Sequence, residues 1–154
     1  MDQSILRAEL RHDEGEKLVA YKDSLGLWTV GVGHLIDPSK GANPAPFGVD
    51  LRKGGSITEA QSDALLDADI DAKCTQLDEH IAWWRDLDEV RQRVIVNMAF
   101  NLGVAGLLGF KNTLACVHEA RFDDAADGML ASKWARQVGK RADRLAGMMR
   151  TGTV

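Results

Sequence analysis

HDEGEKLVAYKDSLGLWTVGVGHL, residues 12–35, is the stretch around which the chain is organised. A helical pattern ends at Glu14-Gly15, and an apolar-alternating run, Leu18-Val19-Ala20-Tyr21, follows it. Asp23-Ser24-Leu25-Gly26 then turns the chain into a second run, Trp28-Thr29-Val30-Gly31-Val32-Gly33-His34. The spacing predicts a β-hairpin. Glu14, Asp23 and Thr29 fall at a helix end, a turn and a returning strand, which brings them to one side of that hairpin. Gly31 and Gly33 leave room for a ligand beside the backbone. A hairpin this small and glycine-rich buries little, so its polar groups point to function rather than stability.

Working outward, Asp2 can cap a first helix carrying Ile5, Leu6 and Leu10 on one face, with Gly15 as its stop. Glu14 then sits at the negative end of the helix dipole, where ionisation is disfavoured. Residues 37–55 hold Pro38, Pro44 and Pro46 with Gly41, Gly48, Gly54 and Gly55, which predicts irregular chain with one short strand. Thr58 and Gln61 form a capping box, and helical spacing continues to His80. At roughly 1.5 Å per residue that helix is about 30 Å long, enough to join two lobes. Its acids Asp63, Asp67, Asp71 and Asp78 read as a wet face. From Asp88 as cap, the apolar residues Val90 to Leu102 occupy nearly every side, the mark of a buried helix and the axle of a helical C-terminal lobe. Short helices are expected near 104–108, 112–121, 123–131, 133–138 and 140–150. The chain reads as one α+β domain over 1–154: a β-rich lobe at 13–57, a connecting helix at 58–80, and helical parts at 1–12 and 81–154.

With 154 residues, 45% hydrophobic and 27% charged, the composition is that of a globular protein and excludes fibrous and disordered classes. The net charge of -4 is unevenly spread. Lys133, Arg136, Lys140, Arg141, Arg144 and Arg150 crowd the C-terminus, a solvated face that could also meet an anionic membrane surface. Cys74 and Cys116 lack metal-ligand spacing and read as thiols rather than a disulfide. The N-terminal segment has no apolar core of signal-peptide length, so export is expected to rely on another component.

Glycosidic cleavage needs a proton donor at the leaving oxygen and a second carboxylate that activates water or attacks the sugar. Glu14 suits the donor, because a helix C-terminus and partial enclosure both oppose its ionisation. Asp23, in a wet turn, stays charged. Thr29 can hold a water against it. Each residue type is also common in its position for purely structural reasons.

The run EGEKLVAYKDSLGLWTVGVGH resembles the active-site signature of the T-even phage lysozymes, endolysins of the glycoside hydrolase class. The similarity continues through Asn97-Met98-Ala99-Phe100-Asn101-Leu102-Gly103, Gly109-Phe110-Lys111-Asn112-Thr113-Leu114, Ser132-Lys133-Trp134 and Arg141 to Thr153. It implies a lysozyme-like α+β muramidase that hydrolyses the bond between N-acetylmuramic acid and N-acetylglucosamine in peptidoglycan, with inversion. Glu14 is implied as general acid, and Asp23 with Thr29 as the positioner of water. Leu35 and Phe100 are implied to line the cleft, with Asn101, Thr113, Ser132, Lys133 and Trp134 facing it. His34 is implied to pair with Asp69, and Arg141 with Asp13 or Glu14. Neither metal nor organic cofactor is implied. The expected partner is the glycan strand, met by a monomer with no role for nucleic acid. The enzyme is expected to wait in the host cytoplasm until a separate holin breaches the membrane, then to reach periplasm and wall. Two positions depart from the pattern: Gly128 stands where the family has a sugar-contacting Asn, and Asn101 where it has a longer amide.

A lytic transglycosylase would need only one acid, so retention of Asp23 and Thr29 argues against it. A binding module that does not cut is disfavoured because both carboxylates are kept. Trp83 and Trp84 read as core packing rather than sugar-stacking residues.

Overall fold

The computed structural model describes all 154 residues, in the order α1 (Gln3–Glu14), β1 (Lys17–Lys22), β2 (Trp28–Gly31), β3 (His34–Leu35), α2 (Glu59–His80), α3 (Glu89–Leu108), α4 (Lys111–His118), α5 (Phe122–Leu130), α6 (Lys133–Val138) and α7 (Lys140–Thr151). Residue contacts divide it into two compact units, Ser4–Asp71 and a second made of Met1–Gln3 with Ala72–Val154. The boundary falls inside α2. Most of α1 groups with the sheet, whereas the sequence reading put residues 1–12 with the C-terminal helices.

In the first unit the three strands form an antiparallel sheet in the order β1-β2-β3. Gly15, with φ 73°, ends α1 as expected, its N–H donating to Arg11 O at 2.9 Å. The second hairpin run is not one strand. Gly31 and Gly33 adopt left-handed φ values of 65° and 66° and turn the chain at Val32-Gly33 into β3. At Gly31 there is no room for a ligand either, since a Cβ there would lie 3.1 Å from the Ser62 hydroxyl of α2. The glycines serve the turn. Val30, Ile36, Leu51, Ile57 and Leu65 form this unit's core, with Leu18, Ala20 and Trp28 packed on it.

Residues 37–55 contain no strand. They form 3-10 turns at Pro38–Lys40 and Leu51–Lys53, each opened by an aspartate, and a single bridge joins Val19 to Ser56. Asp37 is buried and accepts from Ser39 N (2.9 Å), Ser39 Oγ (2.6 Å) and Trp28 N (3.0 Å). These bonds hold its carboxyl below the usual range and pin the loop to the start of β2. Asp50, bonded to the Arg52 guanidinium and then to the Arg52 backbone, is lowered to about 2. The Thr58–Gln61 capping box closes reciprocally, Thr58 N donating to Gln61 Oε1 at 3.0 Å and Gln61 N to Thr58 Oγ1 at 3.1 Å.

In the second unit α3 is buried from Arg93 to Ala99, capped by Asp88, and broken at Gly103, whose φ 73° and ψ 157° are not helical. The sequence reading, with a helix to Leu102 and another at 104–108, reflects that break. The apolar face of α7 (Ala142, Leu145, Ala146, Met148, Met149) is buried. Arg150 pairs with Asp123 and Asp127, while Lys133, Arg136 and Lys140 are exposed. Trp84 is fully buried, and its indole donates to Asp78. Trp83 stacks on His118 at 4.6 Å, giving that histidine a packing role the sequence did not suggest. Neither Cys74 nor Cys116 is in a disulfide. No single helix is long and apolar enough to cross a membrane.

Candidate active site

Glu14 is the last residue of α1 and is half-buried. Asp23 follows β1 in the turn, where its Oδ1 accepts from Leu25 N at 2.8 Å and Leu27 N at 2.9 Å. Those two donors fix the carboxylate's orientation. Thr29 is buried on β2, and its hydroxyl donates to Leu27 O at 3.0 Å. The hydroxyl proton is committed there, so its oxygen is left to accept.

Strand register links these residues. Tyr21 lies opposite Thr29, and Thr29 lies opposite Leu35, so the three form one row across the sheet. The Tyr21 phenol is pushed up, first by partial burial and then by the charges of Asp23 and Glu14. Both carboxylates therefore act on one hydroxyl in that row. In the sequence Tyr21 was only the end of the apolar-alternating run Leu18-Val19-Ala20-Tyr21. Cross-strand pairing was the signal that could have drawn attention to it.

His34, one step along the sheet and opposite Val30, has Nδ1 2.8 Å from Asp69 Oδ2 on α2. This ties β3 to the helix inside the same unit, as the resemblance implies.

The remaining named residues belong to the helical unit. Trp134 is not a stacking platform. It is 3% exposed, set edge-on to Phe110 at 6.1 Å, and its indole N–H donates to Asn101 Oδ1 at 2.8 Å. A buried indole needs an acceptor, and here it orients the exposed Asn101 amide. Ser132 caps α6, accepting from Ala135 N and donating to Met129 O, so its hydroxyl is already used. Thr113 is 8% exposed. A pocket of about 460 Å³ is lined by Lys111, Asn112, Thr113 and Gly128, and another of about 390 Å³ by Ser132, Lys133, Trp134 and Gln137. Gly109 and Phe110 line both. Phe100 is half-buried, next to Asn101 on α3. Arg141 donates through Nε (3.0 Å) and Nη2 (2.8 Å) to Asn97 Oδ1, a buried amide that sequence reasoning did not single out.

Comparison with known proteins places the chain in a family. The family model for phage lysozyme matches residues 11–151. The chain is 32% identical to "Probable T4-type lysozyme 1" of Dictyostelium discoideum, over 98% of this chain and 96% of that one. It is 29% identical to the "Pre-baseplate central spike protein Gp5" of Enterobacteria phage T4, over 94% of this chain and 27% of that one. With the "Endolysin" of Salmonella phage P22 it shares 29% identity, over 88% and 84% of the two. The chain belongs to the phage lysozyme family. It is a glycoside hydrolase of the lysozyme type.

Proposed function

We propose that this lysozyme hydrolyses the β-1,4 bond between N-acetylmuramic acid and N-acetylglucosamine with inversion, as an endolysin. Glu14 gives its proton to the glycosidic oxygen as the bond from C1 to that oxygen breaks. Water attacks C1 from the opposite face and loses a proton to Asp23. Glu14 is left ionised and Asp23 protonated, and exchange with solvent resets both. Thr29 accepts one hydrogen of the attacking water while Asp23 takes the other. Its bond to Leu27 O supports that assignment, because it spends the hydroxyl proton and leaves the oxygen free only to accept. The observation that carries the reading is the fixed Asp23 carboxylate, held by Leu25 N and Leu27 N in the turn between β1 and the strand that bears Thr29, with Glu14 ending the helix that precedes β1.

Inversion requires carboxyl groups about 6.5–9.5 Å apart, leaving room for water. Proton NMR of the first products on a soluble glycan tests the reading: an initial α-anomer is expected, and an initial β-anomer or an anhydro-sugar would reject it. We further propose that wall access in the host follows a breach by a separate holin. For contact with an anionic outer-membrane surface, exposed Lys133, Arg136 and Lys140 are the available groups, since the apolar face of α7 is in the core.

A further inference from the structure

We infer that Tyr21 is a substrate-contacting residue: its phenol hydroxyl donates a hydrogen bond to an oxygen of the sugar lying across Thr29 and Asp23. The inference rests on the reading above, that this hairpin face is where the glycan is cut.

Three features of the first unit carry it. Register puts Tyr21 directly opposite Thr29, and Asp23 follows two residues later, in the turn that leads from β1 back to Thr29. The core side of β1 is taken by Leu18 and Ala20, which leaves Tyr21 on the other. The ring is steadied by Lys17, whose Nζ lies 4.3 Å from its centroid.

Donor accounting then singles the phenol out. Apart from Glu14, whose proton goes to the glycosidic oxygen, the row offers no other side-chain donor: Thr29 has spent its proton on Leu27 O, and Leu35 has none to give. None of the protein's own hydrogen bonds uses the Tyr21 hydroxyl. Partial burial and the two neighbouring carboxylates keep it protonated, so it remains a donor wherever the enzyme works. Sugar hydroxyl, ring and acetamido oxygens are the acceptors such a donor suits. A purely structural tyrosine would use its ring alone.

The test uses the full chain. In a Glu14→Gln background, which does not cleave, the dissociation constant for a soluble uncrosslinked peptidoglycan tetrasaccharide is measured by calorimetry with and without Tyr21→Phe. Phe keeps the ring over which Lys17 sits, and loss of one neutral hydrogen bond should weaken binding about two- to tenfold. Equal affinity would overturn the inference. Tyr21 is the chain's one tyrosine, so 3-fluorotyrosine incorporation labels it alone. Its ¹⁹F resonance should titrate with the same dissociation constant, and an unmoved resonance at saturating ligand would count against contact even if the Phe variant misfolded. Should the parent cleave, Glu14→Gln not cleave, and Tyr21→Phe match the parent in kcat and KM, this inference fails while the proposed function stands. A parent chain that does not cleave peptidoglycan defeats both.

Discussion

His34 Nδ1 and Asp69 Oδ2, 2.8 Å apart, join the shortest strand of the sheet to the long helix. Both side chains are less than one-third exposed, so the bond is only partly screened. Asp69→Asn should lower unfolding free energy by about 1–2 kcal/mol, the range for a hydrogen bond to a charged group reduced for its exposure. Urea unfolding followed by circular dichroism checks this. An unchanged midpoint would remove the pair from the account of how β3 is held.

Asp37 and Asp50 give the first unit a specific acid sensitivity. Both are held below the ordinary carboxylate range, Asp50 at about 2, by side-chain and backbone donors. A lowered folded-state value means the native chain binds fewer protons than the unfolded one, so stability falls as pH falls. Their contribution is complete above pH of about 4, the unfolded carboxylate value, and is lost below it, for Asp50 toward pH of about 2. Asp50→Asn should therefore be less stable than the parent at pH 6 and converge on it near pH 2. Unfolding midpoints measured across that range show whether the two curves close.

Two glycines should respond to alanine with opposite signs. Gly103 occupies a φ and ψ region essentially reserved for glycine, with no neighbouring atom for a Cβ to strike. Gly103→Ala should cost about 1–3 kcal/mol through backbone strain alone. Gly147, exposed within α7 and also without close neighbours, should gain about 0.5–1 kcal/mol as alanine. Thermal unfolding of both variants distinguishes strain from packing.

Gly128 and Thr113 should behave as a coupled pair. A Cβ at Gly128 would lie 2.6 Å from Thr113 Oγ1, so Gly128→Ala forces the buried threonine to move. Removing that oxygen first, in Thr113→Ala, should let Gly128→Ala show its ordinary helix-favouring effect. A double-mutant cycle with additive energies would disprove the clash.

Much of the fold was legible because local chemistry decided it. Gly15 stops α1, the Thr58 box opens α2, and Asp88 caps α3, each through bonds within a few residues. The break at Gly103 was also visible as a change of helix. The loop at 37–55 was not, since its order comes from Asp37 reaching back to Trp28, nine residues away. Gly31 was misread for the same reason, because Ser62 fills the space beside it from a distant helix. The proposed catalytic residues Glu14, Asp23 and Thr29 lie close in sequence, which is why local spacing was enough to propose them. Whether Trp134 faces the cleft or packs beneath it was open in the sequence, because a motif says nothing of which way an indole turns; its bond to Asn101 holds the ring buried.

The central claim is that Glu14 is the proton donor. Release of reducing ends from purified peptidoglycan by Glu14→Gln, measured beside its unfolding curve, tests it most directly. The account predicts a cooperatively folded variant with most of the rate gone, and a variant that cuts the wall as fast as the parent would contradict it.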